Sequence, residues 1–386
     1  MKRKISAIIL ILALVFSCAI ILSPEKTYAE DKTFTVTKRP MGSTEDGELV
    51  GEYDTLLDAM GACKQEDLDN QYVVTMNNDY NVPKDEGVND RSHVNILFRS
   101  ATGQKYTLKR IGTRLCFYVS KNCNMRVENV ILDGNNDGEL TFISENGVLT
   151  LGEGTIVQNF IDVPSPDGPA IYMTNNSTLN IEDGVTLRNN TGKRIGGVIG
   201  DNSKDTTINI NGGTFTENSC VKWGGVIGSY GTLNISGGTF KGNSSKEGGV
   251  IASYGKLNIT GGVFEDNIAQ TNGGVIRLGQ KATAIISGAS FNKNEAKSGG
   301  VIYNSNELTI NDGVVFSENK SNDNGGAVIN YGKLTVNGGT FKDNEAKNGG
   351  AISSTSDYGE LTIVGGTFEN NKSTGKWGRL LILQPL

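Results

Sequence analysis

A quartet made of a large apolar residue, two polar or variable residues and an asparagine occurs nine times between Ile156 and Asn371, every 24 to 31 residues. The quartets begin at Ile156, Leu187, Phe215, Phe240, Phe264, Phe291, Phe316, Phe341 and Phe368, and each asparagine stands three places later, from Asn159 to Asn371. Between them recurs Gly-Gly-Val-Ile or a close relative, at Gly196, Gly224, Gly248, Gly273, Gly299, Gly325 and Gly349. A period of this length marks stacked repeats, in which each unit buries its apolar face only against its neighbours.

Each repeat opens on a short alternating segment, such as Leu179-Asn-Ile181, Leu233-Asn-Ile235, Leu257-Asn-Ile259 or Leu334-Thr-Val336. Period-two alternation with β-branched residues predicts a half-buried strand. A Gly-Gly or Asp-Gly step follows, then the quartet, a variable polar loop and the glycine-paired Val-Ile strand. Three short strands in about 25 residues, with no helical stretch between them, describe one coil of an all-β parallel β-helix. Coils stack at about 4.8 Å, so nine predict a rod of roughly 40 Å.

Stacking assigns the invariant columns to structure. Phe215, Phe240, Phe264, Phe291, Phe316, Phe341 and Phe368 are expected to form an internal ring ladder, and Asn218, Asn243, Asn267, Asn294, Asn319, Asn344 and Asn371 an internal amide ladder at a bend. An unpaired buried amide costs about 1–3 kcal/mol, so each should bond the coils on either side. Two places after each asparagine stands a small residue, Ser245, Ala269, Ala296, Ser321, Ala346 or Ser373, and Cys220 occupies that column as a small buried side chain.

Residues 1–29 carry the pattern of an export signal: Lys2, Arg3 and Lys4, an apolar run to Leu22, and Thr27-Tyr28-Ala29 as a cleavage site. An uncleaved anchor or a lipid anchor on Cys18 are the alternatives. Its loss removes Lys2, Arg3, Lys4, Lys26 and Glu25, leaving 32 basic and 41 acidic residues and a net charge of −9. That balance argues against nucleic acid as a partner. Four cysteines remain, too few for a disulfide scaffold, although a Cys116–Cys123 bridge is open to an exported chain.

Residues 30–148 read as the rod's beginning, with a cap helix and irregular first coils. Tyr53 to Met60 carries a Thr55/Asp58 capping pair before an apolar stripe, and such a helix could cover the first coil's open end. Tyr72–Met76, Val94–Phe98, Leu115–Val119 and Val127–Leu132 read as strands. Residues 149–386 are the repeat coils. At the far end Lys376-Trp377-Gly378-Arg379-Leu380-Leu381 echoes Lys222-Trp223-Gly224-Gly225-Val226-Ile227, and the chain stops five residues later. A final apolar strand over Leu380–Leu383 leads us to expect self-association through the C-terminal coil or a truncated form of a longer surface protein.

Phe-x-x-Asn alternating with Gly-Gly-[Val/Ala]-[Ile/Val] over residues 149–386 resembles the repeats of polymorphic outer membrane proteins and of adhesin-like right-handed parallel β-helix proteins. Asn129-Val130-Ile131-Leu132-Asp133-Gly134-Asn135 is similar to a coil of the pectate-lyase-type solenoid. The resemblance implies a right-handed helix and a secreted or surface-displayed, adhesin-like protein that contacts a glycan or a surface protein of another cell. After the repeats stands neither an autotransporter barrel nor a cell-wall sorting motif. A polysaccharide lyase or glycoside hydrolase is the alternative function, and a purely structural surface spacer the third.

Enzymes on such solenoids need paired carboxylates or a Ca²⁺/Arg/Lys cluster at one place, and no such cluster stands out in this sequence. The single histidine, His93, lies outside the repeats, which removes His-based triads. No catalytic residue is therefore assigned and no cofactor expected. One Ca²⁺ candidate exists, Asp133-x-Asn135-x-Asp137-Gly138, whose loop pattern fails at Ser144 and reads equally as a turn. Tyr230, Tyr254, Tyr331 and Tyr358 each precede a repeat-opening glycine and are expected either to pack the turn or to offer rings to sugars. Outward Asn180, Asn209, Asn234, Asn258, Thr309, Thr335 and Thr362 form a flat polar ribbon, suited to glycan or ice or simply to an exposed sheet.

Overall fold

Within Thr232–Ile235 the side chains alternate, so that Leu233 and Ile235 are buried while Thr232 and Asn234 face out. The same coil continues through Thr239–Lys241, Ser244–Glu247 and Ile251–Ser253. These four strands define faces I to IV, and each pairs in parallel with its equivalent in the next coil, for example Leu233 with Leu257 and Phe240 with Phe264. The computed structural model describes residues 32–87, 91–112, 116–161, 169–354 and 359–375. Its sheets hold 14 strands on face I, 12 on face II, 8 on face III and 10 on face IV. The chain is a right-handed parallel β-helix of about 11 turns, a rod on the order of 50 Å at the inter-strand spacing.

The core is made of columns. Phe215 to Phe368 stack with ring centroids 4.4–5.0 Å apart and planes within 16°. Burying each ring contributes about 1.5–3 kcal/mol. Beside them run Leu179, Ile208, Leu233, Leu257 and Leu308, all fully buried, with one small member, Ala284.

Two corners need special backbone. Between faces II and III the residue before each ladder asparagine takes the left-handed conformation, as at Glu217, Asp266, Lys293, Glu318 and Asp343, with φ of 53–54°. That turn throws the following asparagine into the interior. Between faces III and IV the first glycine of each pair has φ of 65–70°. The second packs against the next coil so closely that a Cβ on Gly225 would collide with the Gly249 carbonyl.

Several expectations change in the structure. The variable polar loop is itself a fourth sheet, face III, so a coil has four strands rather than three. It escapes a pattern search because its strands are two to five residues long and bury only the small column that includes Cys220. From Cys220 onward face III also alternates from coil to coil. Cys220 to Trp223, Ala269 to Asn272 and Ser321 to Asn324 carry one residue more than Ser245 to Glu247, Ala296 to Ser298 and Ala346 to Asn348. This is a bulge with a two-coil period.

The first quartet is out by one place. Val157, not Ile156, stands in register with Leu187, and Phe160 takes the asparagine position, its N–H donating to Asn190 Oδ1 at 3.0 Å. Asn159 is the left-handed turn residue, with φ of 59°. Val127–Leu132 is likewise two strands, Asn124–Glu128 and Ile131–Asp133, broken at Asn129 with φ of 53°.

At the N-terminal end helix α1 (Leu56–Ala62) is capped by Thr55, whose Oγ1 accepts from Asp58 N at 3.1 Å, and its Leu56, Ala59 and Met60 join the core. The helix does not act alone. Phe34–Pro40 extends face I antiparallel to Asp67–Met76, and Glu48–Tyr53 pairs outside it across a bulge at Val36/Thr37. Parallel pairing then runs without interruption through Leu149, which partners Met125 and Leu179. Cys63, Cys116, Cys123 and Cys220 are buried and none forms a disulfide, so the Cys116–Cys123 bridge is not made. The segments expected as an export signal, 1–29, and as a final strand, Leu380–Leu383, together with Cys18, Leu115, Tyr358 and Trp377, lie outside the described residues. In the final described coil Ile363 is 36% exposed, whereas its counterparts Ile310 and Val336 are buried.

Candidate ligand-binding face

Strands of three residues bury their first and last side chains on face IV and turn the middle one outward. In Phe117–Val119, Thr141–Ile143 and Ile171–Met173 the outward residues are Tyr118, Phe142 and Tyr172. They stand in register, with ring centroids 5.2 and 5.8 Å apart. The column continues through Gly200, Gly228, Ala252, Arg277 and Tyr303. Gly200 is roofed over: a Cβ there would lie 2.7 Å from the Ile195 carbonyl and 2.9 Å from Pro169 Cγ.

Farther along, the column merges with tyrosines from the corner between faces IV and I. Tyr230 and Tyr254 stack at 4.6 Å with planes 11° apart. The Arg277 guanidinium covers the Tyr254 ring at 4.9 Å, Trp223 meets the same tyrosine edge-on at 6.4 Å, and Lys222 Nζ lies 5.8 Å from the Trp223 ring. Glu247 holds Arg277 from the side, Oε2 to Nε 3.3 Å. Gly279 leaves room for this, since a Cβ on it would sit 2.7 Å from Tyr254 Cδ1. Tyr303 and Tyr331 then pack at 5.2 Å. Tyr230, Tyr254, Arg277, Tyr303 and Tyr331 come from five successive coils and make a strip of roughly 20 Å. Burial pushes the Tyr254 phenol up to about 12, with Arg277 opposing it, so the hydroxyl keeps its proton at ordinary pH.

Of the tyrosines singled out in the sequence, the structure brings Tyr230 and Tyr254 together and gives Tyr331 to Tyr303; Tyr358 lies outside the described residues. Both faces of Tyr254 are occupied, one by Tyr230 and one by Arg277. What the strip offers a ligand is therefore ring edges, hydroxyls and the 39% exposed Tyr230. Sequence reasoning missed Tyr118, Phe142, Tyr172, Arg277 and Tyr303. The available signal was the middle residue of Phe-Tyr-Val, Thr-Phe-Ile, Ile-Tyr-Met, Ile-Arg-Leu and Ile-Tyr-Asn, but three residues are too few for a period to be visible. Every aromatic residue at 116–354 that is not in the buried interior lies on face IV or at its two corners.

The other candidates resolve into local structure. Asp133 Oδ1 accepts from Asn135 N at 2.7 Å and Oδ2 from Gln158 Nε2 at 2.7 Å, while Asp137 Oδ1 accepts from Gly138 N at 2.9 Å. These bonds close a turn through Asn135 and Asn136, both left-handed. Among the described residues no group of three or more His, Cys, Asp or Glu could hold a metal ion. The outward ribbon on face I is an amide ladder: Asn209, Asn234 and Asn258 each donate Nδ2 to the Oδ1 of the coil before at 2.8–2.9 Å. Exposed Ile285 breaks that column before Thr309. Behind Tyr230 the fully buried Asp201 accepts from Ser229 Oγ at 2.6 Å and from Tyr230 N at 2.7 Å. Burial raises its carboxyl to about 6 against these bonds.

The fold and its one-sided aromatic surface define a parallel β-helix solenoid with a differentiated face. No family model matches the chain, and neither a curated protein nor a solved structure matches it.

Proposed function

We propose that this chain is a secreted or surface-displayed binding rod, adhesin-like and non-catalytic, of the kind its Phe-x-x-Asn and Gly-Gly-Val-Ile repeats resemble in polymorphic outer membrane proteins. The observation that carries the reading is the confinement of the part-exposed rings of residues 116–354 to face IV and its corners. A solenoid that served only as a spacer gains nothing from rings on one side, because exposed aromatic surface is costly unless a partner covers it. Face IV presents rigid rings held by stacking and a fixed guanidinium, with little side-chain entropy left to lose on binding. Its ligand is an extended glycan, which can run along equivalent coils. Purified residues 30–386 should retain members of a glycan array without altering them. Release of reducing sugars or unsaturated uronates from a polysaccharide panel would replace this reading with the enzyme, and blank glycan and cell-binding assays would leave the spacer.

A further inference from the structure

The two-coil alternation of face III places charge beside the aromatic strip. In each short coil the residue after the small buried column is a lysine: Lys246, Lys297 and Lys347. In the bulged coils two residues share the same place, Val221 with Lys222, Gln270 with Thr271 and Asn322 with Asp323. The lysines are exposed and stand two coils apart, about 9.6 Å at the inter-strand spacing. Lys297 reaches Asp323 only at 3.9 Å. This row borders face IV directly, since Glu247, the neighbour of Lys246, holds Arg277, and Trp223 of the same corner touches Tyr254. A row with a lysine in every second coil and one carboxylate, Asp323, in an acidic chain, next to ring edges and hydroxyls, is complementary to a regularly charged polymer.

We infer that the ligand of the proposed binding face is an acidic polysaccharide with one carboxylate or sulfate per disaccharide, lying along the rod axis. An extended disaccharide has about the length of two coils, so each anion meets one of Lys246, Lys297 and Lys347 while the sugar rings lie on the Trp223–Tyr254–Tyr303 side. The assignment rests on the binding-rod reading. Size-defined hyaluronan, which carries one carboxylate per disaccharide, is the probe, with uncharged chitin oligosaccharide and single-stranded oligothymidylate as comparisons on the full mature chain. Hyaluronan should bind with an affinity that falls as salt rises, and K246A/K297A/K347A should weaken it at least tenfold. K256A/K333A on face I should leave it unchanged. An unaltered affinity in the triple variant, equal binding of the uncharged oligosaccharide, or equal binding of the oligothymidylate would overturn the inference. Of these, retention of uncharged glycan leaves the binding rod itself standing, whereas a blank across a broad glycan array removes the rod reading as well.

Discussion

Asn243 and Asn267 are joined twice: the backbone N–H and the side-chain Nδ2 of Asn243 both donate to Asn267 Oδ1, each at 3.0 Å. The second Nδ2 proton goes back one coil to the Phe215 carbonyl at 2.9 Å. Every amide from Asn190 to Asn344 repeats this arrangement, so oxygen and nitrogen are fully used without water. Aligned bonds of this kind polarise one another in a low-dielectric interior.

Replacing Asn267 by Ala should destabilise the rod by about 2–4 kcal/mol, because Asn243 loses its acceptor and the Phe240 carbonyl its donor. Glu265, two residues away on the outer surface and paired with Lys241 at 3.2 Å, should cost under about 1 kcal/mol when changed to Ala. Denaturant melts of the two variants decide it; equal midpoints would refute the inward assignment.

Phe264→Ala opens a gap in a ring column whose neighbours stand at 4.6 and 4.8 Å and should cost about 3–5 kcal/mol. Val263→Thr alters a side chain that is already 43% exposed and should be close to neutral. Thermal unfolding of both separates a stacked core from a merely apolar one.

Lys293 adopts a φ of 53° where Asn189 and Asn370 stand at the equivalent corners. Lys293→Asn should stabilise by roughly 0.5 kcal/mol by relieving the left-handed penalty of a long side chain. A loss of stability in urea would show that Lys293 makes a compensating contact.

Asp201 links stability to pH. Its folded carboxyl is raised to about 6 from 3.8, so between these values the folded state binds more protons than the unfolded one. Stability therefore falls as pH rises through this window, and the penalty, up to about 3 kcal/mol, is complete above it. Asp201→Asn can still accept from Tyr230 N and donate to Ser229 Oγ, and should abolish this contribution. An unchanged difference between pH 4 and pH 7 stability in the variant would assign the slope to other groups.

Buried thiols supply a further check. Burial pushes Cys63 up to about 12 and Cys116 up to about 11. Folded residues 30–386 should react only slowly with a thiol reagent, and unreduced guanidinium should reveal all four thiols of that segment. A count of two would restore the Cys116–Cys123 bridge.

The sequence by itself determined the solenoid, its coil length, and the Phe and Asn columns. Each column residue meets its own copy from the next coil, so the repeat is both the pattern and the contact. It also determined the Thr55-capped helix, a purely local signal. Only the tertiary structure decided what depends on register between coils. Val157 replaces Ile156 because face II pairs it with Leu187. The antiparallel hairpin at Phe34–Pro40 joins residues far apart in the chain to cover face I. Face III and its alternate bulges exist because coils of unequal length must still align their Gly-Gly corners. The aromatic strip belongs to the same class: Tyr254 stands at the corner after its strand whereas Arg277 and Tyr303 stand in the middle of theirs, and only stacking the coils brings them into one line.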